Sequence, residues 1–226
     1  MRYKEAKTSN RNSGNRVLLL FTEVGNQWLY DSRWIKPKER VHVLLRKIFG
    51  LKPWHDTPIN DKPYAMYTLK QINEFTSRDA NKKYTIVEIG CGLGDIIGNI
   101  SCMGHRIGFD QTIETIKCAK LLHPLTRFEV GSFDNVAIGK IDVLIMVGFL
   151  HCIDDDDLVV SLNRLLSQND VGMICFDTQL RESQDYPHIH KGNELFSGKY
   201  ELIKRSKGFS CSGNNRRYIE FWRKNA

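Results

Sequence analysis

The stretch YTIVEIGCGLGDI, residues 84–96, decides the fold. Tyr84, Thr85, Ile86 and Val87 favour a strand. The run closes on Glu88, and Gly90, Gly92 and Gly94 follow at alternate positions. Glycines let a backbone turn with positive φ and let a ligand approach the main chain. Strand, glycine turn and helix in that order make a nucleotide-binding corner. A dinucleotide fingerprint needs glycine where Asp95 stands, and a phosphate-cradling loop needs a Gly-Lys-Ser/Thr that is absent. No Lys or Arg lies in the turn to meet a pyrophosphate, so the corner suits a nucleoside ligand with little negative charge.

Outward from this corner, β-like and helical stretches alternate. Strands are read at 84–89, 105–109, 127–130, 141–147, 171–177, 200–206 and 216–223. Helices are read near 95–102, 112–122, 155–167 and 191–196. Alternation of this kind predicts a doubly wound α/β domain with a mostly parallel, seven-stranded sheet. Only a turn around Gly213, Asn214 and Asn215 separates the last two strands, so the last one runs antiparallel. A helix opens at Pro63, with Ala65, Met66, Leu69, Ile72 and Phe75 as its apolar face. Before it, Val41, Leu44, Leu45, Ile48 and Phe49 recur at helical spacing among Arg and Lys. This basic helix over 38–50 can pack on its own domain or lie on an anionic membrane surface. The divisions read are an arm over 1–34, expected to be partly disordered, a helical lid over 35–78, and a ligand-binding domain over 79–226.

VEIGCGLGD resembles the first motif of the class I (Rossmann-like) S-adenosylmethionine-dependent methyltransferases. Later landmarks arrive in that family's order over about residues 63–223. HRIGFDQTIETIKCAKLL looks like its second strand, terminal acid and following helix. The resemblance implies the class I methyltransferase fold with S-adenosyl-L-methionine as cofactor and S-adenosyl-L-homocysteine (SAH) as product. It places Glu88, Gly90, Cys91, Gly92, Gly94 and Gln111 in the cofactor site, with Asp110 at the ribose. A carboxylate at a strand end can accept both ribose hydroxyls; Asp110 can equally cap the helix that follows it. In FEVGSFDNV the family's usual Asp is Ser132, with Phe133 to cover the adenine. Val147 and Gly148 complete the cofactor set, and Tyr64 from the lid is expected to meet the methionine carboxylate.

Methyl transfer to a hydroxyl needs alignment and a base titrating near neutrality. His151, in GFLHCI after the fourth strand, is the leading candidate, with a structural role as its alternative. His188 and His190, in the segment after the fifth strand, are weaker candidates for the base. Gly148, Phe149 and Leu150 are expected to face the methyl group beside His151. Trp54, His55, Tyr64 and Tyr67 offer aromatic walls from the lid. Asp154 to Asp157 look like a metal cluster but suit the start of a helix better, so no metal is assigned.

The 226 residues carry a formal net charge of +7 with 41% hydrophobic residues, which fits a packed domain with an anionic partner. Six cysteines show neither disulfide nor zinc spacing, which suits a reducing, cytoplasmic setting. No apolar run approaches the ~20 residues of a spanning helix. The expected function is O-methylation of a small molecule such as a sugar, sugar phosphate or lipid-linked glycan, with peripheral membrane contact through 38–50 as an added option. The rivals are an RNA methyltransferase and a non-catalytic S-adenosylmethionine-binding scaffold. The fourth-strand exit lacks the Asn/Asp-Pro-Pro-Tyr/Phe motif of base-amine methylation, which disfavours a nucleic-acid substrate.

Overall fold

The computed structural model describes residues 44–45, 47–211 and 215–225. The expected arm over 1–34 lies outside them, as do residues 38–43 and 46 of the basic helix.

Eight strands form one sheet: β1 (Tyr84–Ile89), β2 (Gly104–Asp110), β3 (Arg127–Val130), β4 (Lys140–Met146), β5 (Asp170–Gln179), β6 (Tyr200–Arg205), β7 (Phe209–Ser210) and β8 (Arg216–Lys224). Their order is β3-β2-β1-β4-β5-β8-β6, with β7 paired to β8. β1 to β5 are parallel, and β8 enters antiparallel between β5 and β6. The expected seven-stranded sheet is therefore present. The two-residue β7, set between the last two expected strands, is the addition.

The α-helices that lie wholly within the described residues are α1 (Pro63–Thr76), α2 (Ile113–Leu122), α3 (Asp155–Gln168) and α4 (Gly192–Phe196). Strand periodicity divides the core in two. Ile86, Val143, Ile145, Met173 and Cys175 face a layer that contains Ala65 and Ile72 of α1 with Ile116 and Ala119 of α2. Their neighbours Val87, Leu144, Met146, Ile174 and Phe176 face Leu158, Leu162 and Leu165 of α3 and Phe196 of α4. α1 thus belongs to one of the two helical layers on the sheet.

Three local expectations are corrected. Residues 95–102 do not form an α-helix: the chain passes through turns into a short 3-10 segment, Ile97–Asn99. Gly94 and Gly98 weaken a helix there, β-branched Ile96 and Ile97 add to the cost, and Gly92 and Gly94 hold positive φ. On α1 the buried line is Ala65, Thr68, Ile72 and Thr76, while Met66 is exposed. Thr68 and Thr76 enter the core because their hydroxyls donate to the carbonyls of Tyr64 and Asn73. Of the basic helix, residues 44–45 and 47–49 are helical, and Leu45 is buried against Leu51, Leu93 and Cys118. Leu44 and Ile48 stay exposed, so the stripe read from the sequence is split.

Asp154 caps α3 by accepting the Asp157 amide, and Asp155, Asp156 and Asp157 occupy its positive end. At the other end of α3, buried Asn169 has all its bonding capacity used. Its Oδ1 accepts the Ile138 and Gly139 amides and its Nδ2 donates to the carbonyls of Val136 and Leu165. Asn169→Ala should cost about 3 kcal/mol, because four backbone groups lose their partner in a dry site. Urea denaturation reads this, and the exposed Asn135→Ala makes a poor control because that side chain also caps a turn; Asn81→Ala should change stability by less than about 0.5 kcal/mol.

Candidate functional site

The carboxyl ends of β1 to β4, with the segment that follows β5, open into one cleft of about 1450 Å³. Strand order reverses between β1 and β4, and open α/β sheets bind ligands at such a point. The volume exceeds what one small ligand needs, so it can house two.

One half of the cleft is built on the glycine turn. Gly90 has φ 66° and Gly92 φ 54°, where side-chain-bearing residues are strained. A Cβ on Gly90 would come within 2.4 Å of the Phe149 ring, so glycine is needed there for space as well. Glu88 is buried beneath the turn, and its Oε2 accepts the Ile97 amide at 2.9 Å. Burial pushes the Glu88 carboxyl well above its ordinary value. Asp110, ending β2, takes the Gly92 amide on Oδ2 at 3.1 Å and the Thr112 amide on Oδ1 at 2.9 Å. It therefore braces the glycine turn and the start of α2 at once. Each oxygen keeps a lone pair towards the cleft. Lys62, just before α1, pairs with Asp95 at 2.6 Å and ties the entry to α1 to the turn.

Tyr64, Glu88, Gly90, Cys91, Gly92, Asp110, Gln111, Ser132, Val147 and Gly148 all line the cleft. The structure brings these expected cofactor residues together from five separate segments. Gly94 does not line it: a Cβ there would meet the Phe128 ring, so its glycine serves packing. Phe133 also lies elsewhere, buried against Phe149 in the core, and Phe149 is the aromatic that reaches the cleft. The Ser132 amide donates to Asn135 Oδ1 at 2.9 Å at the start of the Phe133–Asn135 turn, and its hydroxyl has a proton to donate.

The other half lies towards β5 and β8. His151, on the short Leu150–Cys152 turn after β4, meets the Tyr186 ring edge-on at 4.7 Å. Its Nδ1 is buried with no hydrogen-bond partner among the described residues. Desolvation lowers its pKa, opposed by Asp177 and reinforced by Arg217 and His190. His188 lines the cleft. His190 does not: its Nε2 donates to the carbonyls of Leu150 and Ile153, and its Nδ1 lies 2.8 Å from Asp155. It clips the segment after β5 onto the turn that carries His151. Leu150 points into the core, so of the expected methyl-facing residues Gly148, Phe149 and His151 remain. Trp54 and His55 reach the cleft, with His55 about 3.4 Å from where a Gly92 Cβ would stand. Tyr67 packs instead against Phe209 and Phe221.

Sequence reading missed Arg217, Asp177 and Asp185. Arg217 is on β8, buried, with its guanidinium 4.2 Å from the Tyr64 ring centre and 5.5 Å from that of Tyr186. Asp177 holds Arg217 at 3.2 Å and accepts the Gly148 amide. An arginine in the strand-like run RRYIEFW was the available signal: alternation places Arg217 on the same face as buried Ile219 and Phe221.

No family model matches the chain, and no curated protein matches it in sequence. Solved structures do. Magnesium protoporphyrin IX methyltransferase (ChlM) from Synechocystis PCC 6803, with bound SAH, superposes at a TM-score of 0.60 and 13% identity, over 93% of this chain and 99% of that one. N-methyltransferase NodS from Bradyrhizobium japonicum WM9, also in complex with SAH, gives 0.60 and 12%, over 82% and 98%. Small RNA methyltransferase HEN1 gives 0.56 and 14%, over 73% of this chain and 25% of that one. These likenesses establish the class I methyltransferase fold, as the motif series implied.

The depressed pKa of His151 has a definite sign. The unfolded chain, with an ordinary imidazole near 6.5, binds this proton more readily than the folded one. The contribution of His151 to stability is therefore lost as pH falls below 6.5 towards the folded value. NMR titration should give the His151 ring a midpoint below 6.5. His151→Gln should flatten that part of the stability-pH curve; a midpoint above 7 would contradict the burial described.

Proposed function

We propose that the chain is an S-adenosylmethionine-dependent methyltransferase that methylates a hydroxyl of a small molecule. The observation that carries this is the meeting, in one cleft, of the Asp110-braced glycine turn with His151, which packs edge-on against the Tyr186 ring. The cofactor fits the first half. The positive-φ turn leaves main chain open at Gly90 and Gly92, and Asp110 offers free lone pairs for the ribose. Ser132 would meet the adenine and Tyr64 the methionine end. When bound, S-adenosylmethionine supplies an electrophilic methyl group on a sulfur that leaves as a neutral thioether.

The chain's own work is placement and proton transfer. Gly148 lies between the two halves, its amide fixed by Asp177 at 2.9 Å, so the β4 exit is rigid where alignment matters. His151, which lines the cleft, takes the acceptor's hydroxyl proton on its cleft-facing side as the new oxygen–carbon bond forms and the sulfur–carbon bond breaks. The flap after β5, pinned by the Ser183 and Tyr186 backbone pair, carries Tyr186 and His188 over this end and limits water. His188 is the second candidate base. Support for a small acceptor comes from the flap and the lid, which wall the cleft on two sides.

Calorimetry should show SAH binding in the micromolar range, on the order of −8 kcal/mol, and no comparable binding of NAD. Gly92→Val should abolish it, since a β-branched residue is strained at φ 54° and its side chain would enter the cleft beside His55. Binding of NAD in place of SAH would refute the cofactor assignment. His151→Ala should lower turnover roughly 10²- to 10⁴-fold with SAH affinity almost unchanged. Near-normal turnover in that variant at every pH would transfer the role of base to His188.

A further inference from the structure

Arg217 is a buried charge that the reaction above leaves idle. Only 6% of its surface is exposed. Its counter-charge Asp177 is already committed: Oδ1 accepts the Gly148 amide and Oδ2 the Gln179 side chain. Arg217 Nε lies 3.2 Å from Asp177 Oδ2 yet makes no aligned hydrogen bond among the described residues. Nη2 reaches the Tyr186 hydroxyl at 3.3 Å, a long contact. Leaving the Nε donor of a guanidinium poorly matched in a dry site is costly. The residue is nevertheless held there, with Tyr64 against its face and Tyr186 beside it.

Its backbone sits away from the glycine turn, and its Nη1 lies 3.9 Å from where a Gly148 Cβ would stand, at the junction of the two halves. Arg217 pairs with Gln179 at the far end of β5, and β4 and β5 separate β8 from β1. Strands lie about 4.8 Å apart, so β8 is roughly 14 Å from the glycine turn's strand. The expected ribose and adenine contacts lie the other way, beyond β1 at β2 and β3. Arg217 and His151 flank the same Tyr186 ring. A guanidinium fork recognises planar or tetrahedral oxyanions bidentately, which a lone lysine cannot do.

We propose that Arg217 is the anchor for an oxyanion, a carboxylate or phosphate, carried by the methyl acceptor, and that this anchor sets the acceptor's hydroxyl against His151. The assignment rests on the methyltransferase reading for the reaction, but the anion site itself does not. The anion would be met by the Nη nitrogens of Arg217, with the Tyr186 hydroxyl beside them. Neutral sugars or alcohols lack the group and forfeit the anchor. Arg217 makes no bond to the transferred methyl and acts by positioning.

The test uses the full chain, with and without saturating SAH. The probes are inorganic phosphate and two matched pairs: glucose 6-phosphate against glucose, and 3-hydroxybenzoate against 3-hydroxybenzyl alcohol. NMR titration and calorimetry should show that phosphate and at least one anionic member bind at least tenfold tighter than the neutral partner, and the pair that responds tells phosphate from carboxylate. Arg217→Gln should erase that preference while SAH affinity stays within twofold. Arg217→Lys should recover only part of it, because the charge remains and the fork is lost. Should Arg217→Gln fail to fold, the double variant Asp177→Asn with Arg217→Gln removes both charges together and serves in its place. Equal binding of the charged and neutral probes by the wild type overturns the proposal. So does a loss of SAH affinity in the Arg217 variants, which would assign the guanidinium to the methionine carboxylate. Failure of the wild type to bind SAH, with the Arg217-dependent anion preference intact, would instead overturn the methyltransferase reading and leave the anion site standing.

Discussion

The arrangement of the glycine-turn half of the cleft depends on one buried carboxyl group. Glu88 sits inside the sheet edge and accepts the Ile97 amide, which lies beyond the whole glycine turn. That single bond spans the turn and fixes where its three glycines may run. A carboxyl in so dry a place is expensive when charged, and its raised pKa is the sign of that cost. The compensation is geometric. With the turn closed over Glu88, the Gly92 amide reaches Asp110, and Asp110 in turn reaches Thr112 and starts α2. Three elements are thereby set by two acids and three backbone amides, without a lysine or arginine in the turn itself.

The second half follows a different logic. Asp177, at the end of β5, fixes the Gly148 amide and faces Arg217. β4, β5 and β8 are joined there by charge and hydrogen bonding rather than by apolar packing. His190 adds a clip from the flap to the carbonyls around His151. His151 itself is left with an unmatched nitrogen.

Much of this was legible in the sequence because it is local. Strands β1 and β3 match their expected bounds, and Asp154 caps α3 as its position before LVVSLNRLL suggested. Motif spacing likewise located the cleft-lining set from Glu88 to Gly148. The failures are non-local or competitive. The residues after the glycine turn have a helix's position, but Gly94, Gly98 and two isoleucines deny them its energy. Phe133 and Phe149 are equivalent as aromatics in a string, and only packing decides which one enters the cleft. His190 looked like His188 until two carbonyls claimed its ring. Arg217 lies on the far side of the sheet from the motifs in sequence, so its partnership with Tyr64 appears only once β8 is inserted.

That insertion has a consequence for how the molecule comes into being. β8 follows β6 in the chain yet lies between β5 and β6 in the sheet. During synthesis, residues 84–179 can pair strand by strand as they emerge, but the outer edge of β5 must then wait. It is a ten-residue edge, with Val171, Met173 and Cys175 among its buried side chains. An unpaired edge of that length invites pairing with another chain. β6 cannot cover it alone, since it pairs with β8 and not with β5. The nascent protein therefore stays exposed to strand-swapping until residues 216–224 are released from the ribosome. Chaperone dependence should be concentrated in that interval, and a premature stop before β8 should yield aggregate rather than a smaller folded domain.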